Sequence, residues 1–150
     1  MDIPAFHQAL TDHLPASRLI TDAARRFALG TDASFYRMTP ALIVQIDSEA
    51  ELLIVLEQAR RFLVPLTFRA AGTSLSGQAV TDSVLVMLTP NWRGCRIEPF
   101  GERVHLQPGL IGAQANRKLA YFGRKIGPDP ASINACQIGG IVANNASGMC

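Results

Sequence analysis

The stretch that decides the fold of this chain reads Arg69-Ala70-Ala71-Gly72-Thr73-Ser74-Leu75-Ser76-Gly77-Gln78. Short apolar runs at 65–68 and 84–88 flank it, and both predict buried strands. Glycine lets a backbone approach a ligand closely and adopt positive φ, and Ser and Thr hydroxyls add hydrogen-bond donors. A loop of this composition at the end of a strand predicts a site for a phosphate or diphosphate. An ordinary connection rich in small residues is the alternative.

The spacing of the loop separates it from two common phosphate loops. Four residues lie between Gly72 and Gly77, as in a P-loop. A P-loop continues with Lys and then Ser or Thr, which hold the terminal phosphates and Mg²⁺, but here Gln78 and Ala79 follow. The dinucleotide fingerprint G-x-G-x-x-G is also missing from the loop. The loop therefore predicts phosphate binding without phosphoryl transfer.

Length and composition bound the class of protein. With 150 residues, about half of them apolar and 17% charged, the chain has the size of one globular domain with a real core. No dense Lys/Arg patch is interleaved with aromatics, which argues against a nucleic-acid partner. The apolar runs are shorter than the ~20 residues that span a bilayer. The first residues, Met1-Asp2-Ile3-Pro4, show neither the basic region nor the apolar region of an export signal. We expect a cytoplasmic protein without a transmembrane segment.

Cysteines and histidines give no sign of a metal site. The three cysteines are Cys95, Cys136 and Cys150. They form no C-x-x-C pair and predict reduced thiols. The three histidines, of which His105 falls in an alternating strand, show no ligand spacing. The sequence therefore predicts no metal ligand, and none of its residues is assigned as a catalytic base.

The first part of the chain predicts a β-α-β unit. A short amphipathic helix over 4–14 and a second helix capped by Thr21 or Asp22 come first. An apolar strand at 41–46 follows, and then a helix to about Leu63 that opens with the capping box of Ser48 and Glu51. The expected crossover is parallel and right-handed, which places the glycine loop at the carboxyl end of the sheet, where ligands of such sheets bind.

The later part of the chain predicts a different architecture. Alternating residues at 94–98 and 103–107 predict an antiparallel hairpin, and a helix over 111–122 stops at Gly123. Gly127-Pro128-Asp129-Pro130-Ala131-Ser132 then predicts a stiff, non-helical segment, for which a plain rigid turn is the alternative. The stretch 138–148 brings two glycines and two adjacent asparagines, which suit close approach to a flat ligand and left-handed backbone.

Together these motifs resemble the flavin domain of the vanillyl-alcohol oxidase / p-cresol methylhydroxylase (PCMH) superfamily. The nearest likeness is to its D-lactate dehydrogenase, 2-hydroxyglutarate dehydrogenase and glycolate oxidase D-subunit branch. The motifs that carry the resemblance are Thr31-Asp32-Ala33-Ser34 with Tyr36, the strand before Ser48, and the stretches 69–78, 104–109, 127–132 and 138–148. Each is weak alone, but six in the same order are specific.

The resemblance implies an α+β chain with the PCMH-type FAD-binding fold. Its expected parts are an N-terminal helical segment at 1–35, a first sub-domain with a small β-α-β unit at 36–90, and the truncated beginning of a second sub-domain with a mixed or antiparallel sheet at 91–150. In such proteins FAD lies between the two sub-domains. Because the loop at 69–78 contains no His, the resemblance implies that FAD is bound non-covalently.

The resemblance also carries the expected cofactor contacts onto this sequence. In the first sub-domain they are Arg69, Ala71, Gly72, Thr73, Ser74, Leu75, Ser76, Gly77 and Gln78, around the diphosphate. In the second they are Pro128, Asp129, Pro130, Ser132, Gly139, Gly140, Asn144, Asn145 and Ser147, along the diphosphate, ribityl chain and ring. Arg69 either helps to hold the diphosphate by its charge or is an exposed charge at the end of its strand.

The resemblance implies oxidation of a D-2-hydroxy acid such as D-lactate by hydride transfer to FAD. The family's chain continues past residue 150, so substrate contacts and catalytic residues are expected beyond it, and this chain alone is expected to be inactive. A non-catalytic fragment, or a module that needs a partner at an open sheet edge, is the alternative. The full-length protein is expected in the cytoplasm or at the inner face of the membrane.

Overall fold

The computed structural model describes residues 1–148 and divides the chain into two compact units. The first covers Met1–Thr89, and the second begins at Pro90. Both are mixtures of helices and strands, as the α+β prediction requires. Cys150, one of the three cysteines predicted to be reduced, lies outside the described residues.

A four-stranded sheet forms the centre of the first unit. Its strands are β1 (Leu19–Ile20), β2 (Leu42–Ile46), β3 (Leu66–Arg69) and β4 (Val84–Leu88). They lie in the order β1-β2-β4-β3, and β4 is parallel to both of its neighbours, whereas β1 pairs antiparallel with β2. The parallel β-α-β unit is therefore confirmed, with β4 inserted between its two strands.

The prediction that residues 65–68 form a buried strand is wrong. Because β4 takes the central place, β3 is left at the edge of the sheet, and the Phe68 side chain is 50% exposed. Strand β4 is buried as predicted, since Val84, Leu85 and Val86 are fully enclosed. The apolar run of β3 alone did not reveal this, because a run of four residues reads the same at an edge as at a centre.

Two helices begin the first unit, at α1 (Ile3–Thr11) and α2 (Ala23–Ala28). Asp2 caps α1 and Asp22, not Thr21, caps α2, each through its carboxylate and a backbone N–H in the first turn. Helix α1 ends before the predicted residue 14, because Pro15 disfavours helical backbone just before it. Phe6, Leu10 and Leu14, whose i, i+4, i+8 spacing predicts one apolar face, are nevertheless all buried.

Helix α3 (Glu49–Phe62) connects β2 to β3 and packs against α1. The Ser48 hydroxyl accepts a hydrogen bond from the Glu51 N–H at 3.3 Å, as the capping box predicts. The Glu51 carboxylate, however, accepts from the Asp47 N–H at 2.7 Å and not from Ser48. Both Glu51 oxygens also accept from the Arg18 guanidinium, each at 2.7 Å. Glu51 therefore both caps the start of α3 and binds Arg18 in the segment before β1; we call this Arg18–Glu51 pair the clamp.

Helical spacing in the sequence predicts that the apolar face of α3 consists of Leu52, Val55/Leu56, Ala59 and Phe62/Leu63. At its last position the prediction is wrong for Leu63. Leu63 is 75% exposed because it adopts a left-handed backbone, with φ 52°, and ends the helix. Val55 and Ala59 are buried as predicted, and Val64 takes the enclosed place after the helix. The left-handed turn therefore exposes Leu63 and buries Val64 in its place.

The second unit contains the predicted antiparallel hairpin. Strands β5 (Cys95–Ile97) and β6 (Val104–Leu106) pair with Arg96 opposite His105, and both of these side chains are exposed. Helix α4 (Gly112–Leu119) follows and tightens into a 3₁₀ turn at Ala120–Phe122, and Gly123 closes it in left-handed backbone. Helix α5 (Ile138–Ala143) comes last. The 3₁₀ turn rotates Phe122 off the face of Ala115 and Leu119, so that Phe122 is exposed.

The clamp between Arg18 and Glu51 gives a stability prediction. The hydrogen bond from Arg18 is the largest cause that holds the pKa of Glu51 below its ordinary value of 4.5. A carboxyl whose pKa is lower in the folded than in the unfolded chain stabilises the fold at pH values above its ordinary pKa. This contribution is lost as the pH falls below that value. Glu51→Gln should lower the free energy of unfolding at pH 7 by about 1–2 kcal/mol.

Urea unfolding at several pH values measures this effect. The difference between wild type and Glu51→Gln should shrink steadily below pH 4.5, since the Glu51 carboxyl of the unfolded chain then takes up a proton while that of the folded chain, whose pKa is lower, still resists it. Glu49→Gln, on the exposed side of the same helical turn, serves as the control and should cost only a few tenths of a kcal/mol. Equal destabilisation by both variants would contradict the assignment.

Candidate cofactor site

The glycine loop leaves β3 at the carboxyl end of the parallel strands. Its two glycines have positive φ, 72° at Gly72 and 76° at Gly77, as the sequence predicts. A β-carbon at Gly72 would collide with the Arg69 guanidinium, and one at Gly77 would lie 2.7 Å from the ring of Tyr36. Positive φ therefore favours glycine at both positions, and the Tyr36 ring adds a steric requirement at Gly77.

Most backbone N–H groups of the loop have no partner within residues 1–148. They belong to Ala71, Gly72, Thr73, Ser74, Leu75, Gly77 and Gln78. The exception among the predicted contacts is Ser76, whose N–H donates to the Ser74 hydroxyl at 3.2 Å. These residues are exposed or half-buried, so the free donors are accessible. A row of unpaired N–H groups in one short loop is the arrangement that binds an anion.

Arg69 is not an exposed strand-end charge. Its side chain is half-buried and turns back beneath Gly72, and its Nη1 donates to the carbonyl oxygen of Thr31 at 2.6 Å. Burial lowers the pKa of Arg69, and the charge of Asp32 partly offsets this. The guanidinium therefore places positive charge directly behind the loop.

The segment 31–36 supports the loop, and its role was missed by sequence reasoning. Asp32 Oδ1 accepts hydrogen bonds from both the N–H and the hydroxyl of Ser34, and the Ser34 hydroxyl in turn accepts from the Tyr36 N–H at 3.1 Å. The Ala33 N–H donates to the Gly72 carbonyl at 3.0 Å. The spacing D-x-S-x-Y, typical of an Asx turn, was the available signal.

Asp32 is ionised in this environment. Burial by itself would raise its pKa, but the Ser34 hydrogen bonds, the Ala79 N–H and the Arg69 charge outweigh burial and hold the pKa below its ordinary value. Its second oxygen, Oδ2, is buried and forms no hydrogen bond of good geometry within the described residues. The carboxylate is thus held near both ends of the loop, by Arg69 before it and by Ala79 after it.

The stiff segment around Pro128, Asp129 and Pro130 is non-helical, as predicted. It leads into turns at 131–135, where the Ile133 N–H donates to the Pro130 carbonyl at 2.9 Å. The Ala113 N–H of α4 donates to the Ile133 carbonyl at 3.0 Å. Lys125 also pairs with Asp129 at 3.2 Å. The end of this segment, at Ile133 and Cys136, is therefore fixed on the start of α4, and Ser132 lies just before it.

The glycine-asparagine stretch begins as α5, which the sequence did not predict. The Gly139 N–H donates to the Pro108 carbonyl at 2.8 Å, and a β-carbon at Gly139 would lie 2.9 Å from Pro108 Cβ. Gly139 therefore lets α5 pack closely on the turn at 108. After the helix, Asn145 adopts the left-handed backbone with φ 46°. Three predicted contacts are exposed in this stretch, namely Asn144, Asn145 and Ser147.

Gly148 brings the two predicted segments of the second unit together. A β-carbon there would overlap the Asp129 carbonyl oxygen. The end of the asparagine stretch therefore lies directly against the proline segment. Sequence spacing alone could not show that these two motifs meet.

Other chemistry-bearing residues stand apart from these segments. His105 pairs with Glu98 at 2.9 Å on the exposed face of the hairpin. Cys95 and Cys136 are free thiols. Over the described part of the chain, no group of three or more His, Cys, Asp or Glu side chains is arranged to hold a metal ion. Among the helices of residues 1–148, none has the length and apolar character to cross a membrane.

Comparisons with known proteins agree with this arrangement. The chain is 33% identical over 144 residues to the glycolate oxidase subunit GlcD of Escherichia coli, which covers 94% of the chain and 29% of GlcD. It is 30% identical over 150 residues to D-2-hydroxyglutarate dehydrogenase of Pseudomonas putida, which covers 97% of the chain and 15% of that enzyme. The chain thus spans less than a third of these relatives.

Solved structures share the fold. Alkyldihydroxyacetonephosphate synthase superposes with a TM-score of 0.80 over 99% of this chain and 30% of its own, at 20% identity. This likeness shows the PCMH-type FAD-binding fold that the motifs predicted. The family model described as FAD binding domain matches residues 40–150, which include the glycine loop, the proline segment and the asparagine stretch. The chain belongs to the FAD binding domain family, and its cofactor is FAD.

Proposed function

We propose that this chain is the FAD-binding portion of a flavin-dependent oxidoreductase that oxidises a D-2-hydroxy acid. The observation that carries the proposal is the loop of unpaired N–H groups between two positive-φ glycines, inside the region that matches the family. The names of the relatives support the substrate class, since glycolate and D-2-hydroxyglutarate are both 2-hydroxy acids. D-lactate is a third member of this class and is kept within the proposal.

The loop fits the diphosphate of FAD by its donor chemistry. It offers accessible N–H groups and small side chains, and Arg69 adds positive charge behind Gly72. No Lys follows the loop as in a P-loop, so neutralisation of the diphosphate falls to backbone dipoles and to the half-buried Arg69. The loop has no His, so we propose that FAD is held non-covalently.

The second unit contributes further contacts to FAD in this proposal. The proline segment leads into a turn that is already fixed on α4, and Asn144 and Asn145 are exposed, so that their amides can form hydrogen bonds to the ribityl chain and ring. A pre-ordered backbone loses little entropy when it binds a ligand. When bound, FAD supplies the hydride acceptor of the reaction, and the residues of this chain bind and orient it.

A partner-dependent module without activity of its own is the second candidate. The edge position of β3 and the exposed Phe68 favour it, because an unpaired strand edge can add a strand from another chain. This candidate expects dimers at micromolar concentration that Phe68→Lys disrupts. Sedimentation of both proteins over a range of concentrations distinguishes it from a monomeric FAD-binding chain.

Flavin retention tests the proposed function directly. The purified chain, incubated with excess FAD and desalted, should keep the visible absorption of bound flavin. A folded but colourless protein would remove the claim that this chain binds FAD by itself. Circular dichroism of the same sample establishes that it is folded.

Substitution of a loop glycine tests the site within that function. Gly77→Val should abolish flavin retention, because a side chain there meets Tyr36 and the backbone φ of 76° strains any L-residue. Gly123→Val is the matched control, since Gly123 also has positive φ but open space around its α-carbon. If both variants keep flavin, or both lose it while folded, the diphosphate assignment to the loop is wrong.

A further inference from the structure

The segment 31–36, which we call the bracket, contacts both positive-φ glycines of the loop. The Ala33 N–H binds the Gly72 carbonyl at 3.0 Å, and the Tyr36 ring packs against Gly77. At the start of the loop, the Arg69 side chain that lies beneath Gly72 donates to Thr31 in the bracket. The bracket thus contacts the loop at the two glycines where its backbone adopts positive φ.

Asp32 is the residue that holds the bracket in this shape. Its carboxylate accepts hydrogen bonds from the N–H and the hydroxyl of Ser34. The Ser34 hydroxyl in turn accepts a hydrogen bond from the Tyr36 N–H, which links Tyr36 to Asp32. The Arg69 charge and the Ala79 N–H act on the same carboxylate from the two ends of the loop. No other acidic side chain in residues 1–148 accepts a hydrogen bond from a residue of the bracket.

We propose that Asp32 is a positioning residue for FAD binding, which acts through the bracket to hold Gly72 and Gly77 so that the free N–H groups of the loop converge on the diphosphate. This inference rests on the proposed function, since it assigns how the same loop is kept ready for its ligand. It gives a negatively charged residue a favourable role in binding an anion.

The sign of the effect separates positioning from simple electrostatics. A carboxylate close to a diphosphate repels it, so removal of that charge alone should tighten FAD binding. If Asp32 instead positions the loop, Asp32→Asn should weaken binding, because loss of charge-assisted hydrogen bonds frees the bracket. We expect the Kd for FAD to rise about tenfold or more.

The experiment is an FAD titration of the purified chain, followed by flavin fluorescence, at a temperature where melting curves show every variant folded. Asp82→Asn is the matched control, because Asp82 is an exposed carboxylate of the same unit and its loss removes the same charge. Ser34→Ala, which removes one hydrogen bond and no charge, should weaken binding in the same direction but less. Unchanged or tighter binding by Asp32→Asn and Ser34→Ala overturns the proposal.

A second measurement needs no FAD. Leu75 is 77% exposed at the tip of the loop, so chymotrypsin cleavage after Leu75, identified by mass spectrometry, reports how firmly the loop is held. The proposal expects faster cleavage in Asp32→Asn and Ser34→Ala than in wild type and Asp82→Asn. Equal rates overturn it. A wild-type chain that binds no FAD removes the claim that this chain binds FAD by itself, and the cleavage rates then decide the role of Asp32 in holding the loop.

Discussion

The loop after β3 must keep a row of backbone N–H groups unpaired, and the rest of the first unit depends on this constraint. Unpaired donors are costly when buried, so the loop stays at the surface, and with few internal hydrogen bonds it needs support from outside. The Arg69 side chain and the segment 31–36 give that support, because both touch the glycines where the loop turns. The surface that we propose for the diphosphate is therefore backbone, and the side chains act behind it.

The sheet places this loop at the carboxyl edge of its parallel strands. Strand β4 fills the centre between β2 and β3, and its enclosed valines and leucine anchor the sheet. Helix α3 returns the chain from β2 to the edge strand, and the Arg18–Glu51 clamp fixes its start. An edge strand suits this task, since the chain leaves it towards solvent, where a ligand can reach the loop.

Local sequence patterns predicted where helices and strands begin and end better than they predicted which elements lie next to each other. Ser48, Asp22 and Gly123 act as helix caps because capping depends on adjacent residues, which a sequence shows. The positive φ of Gly72 and Gly77 followed from composition in the same way. The edge position of β3 and the meeting of Gly148 with Asp129 depend on contacts between distant residues, so periodicity could not reveal them. The support from Asp32 was missed for the same reason, although its motif was visible.

The most direct test of the central claim is the amide spectrum of the ¹⁵N-labelled chain during addition of FAD and, in parallel, of riboflavin, which lacks the diphosphate. If the loop binds the diphosphate through its backbone, the amide resonances of residues 71–78 should move downfield with FAD, as free N–H groups gain anionic acceptors. Riboflavin should leave them in place. Large FAD-induced shifts elsewhere, with residues 71–78 unmoved, would contradict the account.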